Sequence, residues 1–174
     1  MEKDPQVVAD LARRREDENW RFRAFLKRAS HRVVQQVNAS ARHAGEAARD
    51  QMDCTTCAAC CRDNWVPLTE DEIARLSRRL QIDPETFRAR YLTKDDEEDG
   101  WAIDARPCPF LVGTRCSVYE DRPEVCREYP YIGGDLPTRM LGVIERAATC
   151  PIIFEMLEHV KRDIGFDRFS RRRR

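Results

Sequence analysis

Apolar residues Phe22, Phe25, Leu26, Val33, Val34 and Val37 recur near a helical period in a stretch rich in Ala and Arg. Residues 5–49 are therefore predicted to be helical. The charges at 13–15 and 16–18 lie on the polar face, and Gly45 is the expected break. Such a stripe suits an amphipathic helix or helical hairpin packed on the rest of the chain. The other use open to it is as the docking surface for a protein partner or a second copy. His31 and His43 are expected at the surface.

From residue 65 the pattern changes. Trp65-Val66-Pro67-Leu68 reads as extended chain, because Pro opposes helix. Thr69-Glu70-Asp71-Glu72 is a capping box: Thr69 accepts from the backbone of Glu72, whose side chain reaches back. Ile73, Leu76 and Leu80 then form one stripe on a helix ending near Leu80. Asp83-Pro84 is the start of another helix, with Asp as N-cap and Pro at the first position. Phe87, Tyr91 and Leu92 are its core contacts. Residues 95–99 read as a solvated acidic loop without the spacing of an EF-hand. Residues 101–104 and 110–112 read as short strands and Gly113 as a turn. A helical turn after Arg122-Pro123 would present Cys126. Met140 to Ile144 reads as a weak strand, and a helix runs from Pro151 through Ile164 on Ile152, Ile153, Leu157 and Val160. The predicted fold class is α+β: a small metal-organised domain of helices and short strands at 51–169, preceded by a helical extension at 1–50 and followed by a basic tail at 170–174.

Composition narrows the function. The chain has 174 residues, with 31 basic and 31 acidic side chains, and a mean hydropathy of −0.69. No apolar run approaches the roughly 18 residues of a membrane-spanning helix. The start, Met-Glu-Lys-Asp-Pro, lacks a secretory apolar region, so a cytoplasmic location is expected. The balanced charge hides a net of −7 across 51–170. This argues against nucleic-acid binding there, since phosphate contacts need clustered positive charge.

The chemistry lies in eight cysteines: Cys54, Cys57, Cys60, Cys61, Cys108, Cys116, Cys126 and Cys150. Four fall within eight positions, as Cys54-Thr-Thr-Cys57-Ala-Ala-Cys60-Cys61. A disulfide framework is disfavoured without an export signal, because reducing cytosol keeps thiols free. Cysteines used as small hydrophobes account for one or two isolated cases. Metal ligation accounts for the cluster, because compact thiolate donors at Cys-x-x-Cys spacing can face one ion or cluster. Eight thiolates divide into two zinc sites of four, whereas Cys54, Cys57 and Cys60 have the triple spacing of an iron–sulfur run. Cys108-Pro109 and Cys150-Pro151 supply its Cys-Pro element. If 54–61 is helical, Cys54, Cys57 and Cys61 fall within about 60° of one another and Cys60 points elsewhere. If it is a loop, Cys54, Cys57 and Cys60 wrap one centre. In either case the sulfurs are expected to converge on shared inorganic ions.

The ordered blocks resemble the YkgJ-type cysteine-cluster family. They are Cys54 to Cys61, Val66-Pro-Leu-Thr69-Glu-Asp-Glu-Ile73, Cys108-Pro-Phe-Leu111, Cys116-Ser-Val-Tyr119-Glu-Asp-Arg122-Pro123, Cys126-Arg-Glu-Tyr129-Pro130-Tyr131 and Cys150-Pro151. The resemblance covers about residues 51–155. It implies a zinc- or iron-chelating domain, also described as iron–sulfur-cluster-containing, with all eight cysteines as ligands. Family members usually carry Gly after the second cysteine. Ala58 stands there in this chain, which predicts against a tight positive-φ knuckle. Arg122 and Arg127 are candidates to offset thiolate charge, with surface ion pairs as the alternative.

Three functions follow: an iron–sulfur protein, most simply with a 4Fe–4S cluster, for electron transfer or redox sensing; a zinc-stabilised interaction module docking through its N-terminal helix; and a non-redox enzyme domain, since a flagellin lysine methylase contains a similar cysteine domain. Four thiolates per site leave no open coordination position, which disfavours hydrolytic metal chemistry.

Overall fold

The structure, a computed structural model, describes residues 1–63, 65–95 and 100–166. Residues 96–99 of the acidic loop and the basic tail at 170–174 lie outside the described residues. In chain order the elements are α1 (Pro5–Arg14), α2 (Glu16–Leu26), α3 (His31–Asp50), α4 (Cys54–Cys57), α5 (Cys60–Asp63), β1 (Val66–Leu68), α6 (Glu70–Leu80) and α7 (Pro84–Tyr91). They continue as β2 (Thr93–Asp95), β3 (Gly100–Ile103), β4 (Leu111–Val112), β5 (Arg115–Cys116), a 3₁₀ turn (Tyr119–Asp121), α8 (Glu124–Glu128), α9 (Leu136–Ala147) and α10 (Pro151–Asp163). The class is α+β. No described helix is long and apolar enough to cross a membrane.

The contacts divide the chain into two compact units. One joins residues 1–53 to the segment from Pro130 onward, and the other is Cys54–Tyr129. The sequence-based boundaries at 50 and 169 run differently, because α9 and α10 pack with the N-terminal helices.

In the helical unit, α10 is the central element, lying against α1, α3 and α9. It buries Ile152, Ile153, Leu157 and Val160, as its period predicts. Val8, Phe22, Val37 and Met140 are buried in the same unit. The predicted N-terminal helix is three helices. Asp4 caps the first and Ser30 the third. The chain turns at Arg15 and again at 27–30. Gly45 is not a break: it lies inside α3, where an added Cβ would collide with Ile132. His31 and His43 are exposed.

The weak strand expected at 140–144 is part of α9 instead. Asp135 caps this helix by accepting from Thr138, and Pro137 sits in its first turn. Leu136, Met140, Val143 and Ala147 are buried, a helical spacing that the apolar run masked. Asn38 ties the start of α9 to α3, accepting from the Leu136 amide at 2.9 Å and donating to Asp135 at 3.0 Å.

A charged group is enclosed in this unit. Lys161 is 1% exposed. Its ammonium meets Glu18 at 2.8 Å, Asn19 at 2.8 Å and Glu158. Burial pushes the Glu18 carboxyl up, but the Lys161 hydrogen bond and charge, aided by Arg15, hold it below the ordinary value.

In the 54–129 unit, β1, β3 and β2 form an antiparallel sheet in that order, with Val66 opposite Ile103 and Thr93 opposite Ala102. Pro67 is tolerated because β1 is an edge strand. The capping box at Thr69 and the Asp83 cap form as predicted. Ile73, Leu76, Phe87, Ile103, Phe110 and Val118 make the core. Phe87, Tyr91 and Phe110 are clustered, with centroids 5.1–6.2 Å apart.

Replacing Lys161 with Met leaves Glu18 and Glu158 without their buried cation. Loss of one partner from a buried pair costs about 3–5 kcal/mol. A matching fall in urea-unfolding free energy is expected, and a loss below about 1 kcal/mol would place this cluster with ordinary surface pairs.

Candidate metal centre

Seven of the eight cysteines belong to the 54–129 unit; Cys150 belongs to the helical unit, where it is buried at the N-cap of α10. The run from Cys54 to Cys61 is neither one helix nor a loop. It is two single turns, α4 and α5, separated by Ala58 at φ 50° and Ala59. The positive-φ knuckle that Ala58 argued against is therefore present, with Ala58 3% exposed. Local hydrogen bonds over-determine it. Ala58 donates to the Cys54 carbonyl at 3.1 Å, Arg62 donates to Ala59 at 3.0 Å, and the Arg62 guanidinium donates to the Cys57 carbonyl at 2.9 Å.

The kink turns Cys60 and Cys61 onto a new turn. The Cys61 carbonyl accepts from the Cys108 amide at 2.8 Å, which fastens the first cysteine segment to the second. Cys116 lies on β5, opposite Leu111 of β4, in a hairpin turned by Gly113 at φ 64°. The α4 turn packs beside β5. The Ser117 amide donates to Phe110 at 2.8 Å, closing the loop that carries Cys108 and Cys116. Backbone amides of Phe110 and Val118 donate to the sulfurs of Cys108 and Cys116 respectively. Cys126 is presented by α8, as expected. Cys108, Cys116 and Cys126 all pack against the apolar core.

Four sulfurs from four segments are electrostatic neighbours. Burial pushes the Cys126 thiol up, and the charges of Cys61, Cys108 and Cys116 push it further, to about 12, with Arg122 opposing. Burial also raises Cys108 and Cys116, and the charge of Cys61 adds to both. Cys61 is the exception. A hydrogen bond from Cys60 lowers it to about 7 against the opposing effect of burial, with help from the Arg62 charge. Arg122 stacks over the Tyr119 ring at 3.7 Å, its charge favouring the Cys116 and Cys126 thiolates. Arg127 instead braces backbone, donating to the Arg122 carbonyl at 3.0 Å and to that of Glu120. Arg62 was not anticipated from the sequence, because nothing in its spacing showed that it would face both the knuckle and a thiol.

Cys61, Cys108, Cys116 and Cys126 are thus near enough for their charges to interact, and Cys60 is hydrogen-bonded to Cys61. Cys54 and Cys57 bracket α4 beside them, Cys54 being exposed. Among the described residues, no group of three or more His, Cys, Asp or Glu side chains is placed so that it could hold a metal ion. The donor chemistry nevertheless fits a soft cation. The charge of Cys61 raises three neighbouring thiols, a penalty that one shared positive centre would relieve, and sulfur selects zinc or iron–sulfur chemistry over harder ions.

A family model titled "CxxCxxCC: Putative zinc- or iron-chelating domain" matches residues 53–151. That is more than half of the chain, and the chain belongs to this family. The match bears out the resemblance read from the cysteine blocks. No match was found among curated proteins or among solved structures.

Two outcomes follow. In metal-free protein the thiolate is the nucleophile, so Cys61 should alkylate through a midpoint near pH 7 while Cys126 stays a thiol until near pH 12. Peptide mapping after iodoacetamide at pH 8 should show Cys61 at least about tenfold ahead; equal rates would contradict this electrostatic arrangement. Replacing Ala58 with Gly should stabilise the chain by about 0.5–1 kcal/mol, because the left-handed conformation strains Ala. A destabilised variant in urea titration would count against the knuckle.

Proposed function

We propose that this member of the family is an iron–sulfur protein, with cysteine thiolates holding a 4Fe–4S cluster for electron transfer or redox sensing. The observation that carries the reading is that Cys108, Cys116 and Cys126 pack on one apolar core close enough to Cys61 for its charge to raise all three thiols. Hydrophobic use of cysteine does not call for such repulsion. Zinc and iron–sulfur clusters both accept four thiolates. The cluster is favoured by the triple spacing of Cys54, Cys57 and Cys60 and by the Cys108-Pro109 and Cys150-Pro151 pairs. All eight cysteines are candidate ligands, seven of them in the 54–129 unit and Cys150 in the helical unit.

When bound, such a cluster supplies one-electron chemistry. The residues around it have separate tasks. The amides of Phe110 and Val118 donate to sulfur and so favour the thiolate forms of Cys108 and Cys116. Arg62 and Arg122 place positive charge beside Cys61 and beside Cys116 and Cys126. The core excludes water on one side. Because thiols bind metal as thiolates, binding would release protons.

Zinc in the same quartet is the second reading, as a structural module. Its docking surface would use the outward side of the N-terminal helices, where Val7 and Trp20 are exposed, since their apolar stripes are covered by α9 and α10. Structural zinc sites contribute about 10–16 kcal/mol in small peptides, comparable to a whole domain's stability of about 5–15 kcal/mol.

Anaerobic purification followed by iron, sulfide and zinc analysis tests the proposal. Iron with acid-labile sulfide and broad visible absorption is the expected result. A colourless protein with bound zinc selects the second reading, and neither metal overturns both. Chelation should also remove much of the circular dichroism and thermal transition of the 54–129 unit; an unchanged melting curve would refute metal-dependent folding.

A further inference from the structure

Glu72 does more than close its own helix. Its carboxylate is buried, at 7% exposure. One oxygen accepts from the Thr69 amide at 2.9 Å, completing the capping box of α6. The other accepts from the Glu124 amide at 2.7 Å. Glu124 is the first residue of α8, the five-residue helix that carries Cys126. That helix has no side-chain cap of its own, because its N-cap is Pro123. Its first amides need an outside acceptor.

The same face of α6 supplies donors. Arg75 donates to the carbonyls of Asp121 and Arg122 at 3.3 and 3.2 Å and lies 3.8 Å from Glu72. Arg79 pairs with the Asp121 carboxylate at 3.4 Å. The turn entering α8 is therefore gripped at its carbonyls and at its first amide from one rigid element. That element is anchored in the core by Ile73 and Leu76.

The geometry points to Glu72 as a positioning residue for the Cys126 ligand, with Arg75 as its counterpart. The inference deepens the metal-centre reading and rests on it for the ligand role of Cys126. A carboxylate suits both amides at once. An amide side chain would turn a donor toward one of them.

The test uses the full chain, metal-free, with cobalt(II) as the probe and thiolate-to-cobalt charge-transfer absorption as the readout. Glu72→Ala is expected to weaken cobalt binding about 10–100-fold, as loss of an outer-shell contact does. Cys126 should then alkylate in the loaded protein while Cys108 and Cys116 stay protected. Thr69→Ala removes the other half of the same cap and leaves the Glu72–Glu124 bond. It should keep the wild-type charge-transfer band and a protected Cys126 despite some lost stability. Glu124→Pro removes the amide that Glu72 accepts, at a position where Pro suits a helix start. It should reproduce the exposure of Cys126, and it decides the matter if Glu72→Ala fails to fold by circular dichroism.

Full protection of Cys126 in Glu72→Ala and Glu124→Pro would overturn the inference. So would an equal loss in Thr69→Ala, which would reduce the effect to helix stability. If the wild-type chain shows no charge-transfer band, the mononuclear-metal reading fails separately, and the iron and sulfide analysis decides the cluster reading. The positioning role is then decided by Cys126 alkylation in the metal-free chain, expected to be several times faster in Glu72→Ala than in Thr69→Ala; equal rates overturn it.

Discussion

Ionisable sulfurs set against one small apolar core repel one another as soon as they lose their protons. Cys126 shows the consequence most clearly, with burial and three neighbouring cysteines pushing its thiol to about 12. The rest of the 54–129 unit can be understood around that constraint. The Cys61–Cys108 backbone bond, the Phe110 and Val118 amides, and the guanidinium groups of Arg62 and Arg122 hold the sulfurs close while lowering the charge penalty. They do not remove it, and a shared cation would. The proposed metal function is thus a proposal about how that remaining repulsion is satisfied.

Different physics organises the helical unit. There the buried charge finds its counter-charges in the chain itself, with Lys161 held by Glu18, Glu158 and Asn19. Long apolar stripes on α3, α9 and α10 supply ordinary core packing. The cysteine unit has short strands, single-turn helices and a modest core, so more of its order depends on polar braces and on what its sulfurs hold. Glu72 illustrates this economy of structure. One carboxylate serves two helix starts, its own and that at Glu124, 52 residues further along the chain.

Much of the local structure was legible from the residues. Thr69 and Glu72 form the capping box, Asp83 and Pro84 start α7, and Gly113 makes the turn between β4 and β5. These signals work because their hydrogen bonds close within a few residues. Gly45 was misleading because its role is close approach to Ile132 rather than helix breaking. The run at 140–144 misled for a related reason: alone it suits a strand, and the Asp135 cap together with burial against neighbouring helices decides for α9. At Ala58 the local preference is overruled, since the bonds around the knuckle outweigh the roughly 1–2 kcal/mol that a left-handed Ala costs.

By itself, the sequence determined the chemistry on offer: eight soft donors, four of them at metal-ligand spacing, in a charge-balanced α+β chain of a zinc- or iron-chelating family. Residue type and short spacing are sufficient for that, because donor chemistry and helix caps are local properties. Tertiary structure decided which sulfurs are neighbours, placing Cys61 with Cys108, Cys116 and Cys126 and setting Cys150 in the helical unit. It also decided that Glu72 reaches α8 and that α9 and α10 join the N-terminal helices. Those relations require distant segments to close on one another, and the packing that makes such closure favourable is distributed over the core rather than written in any one motif.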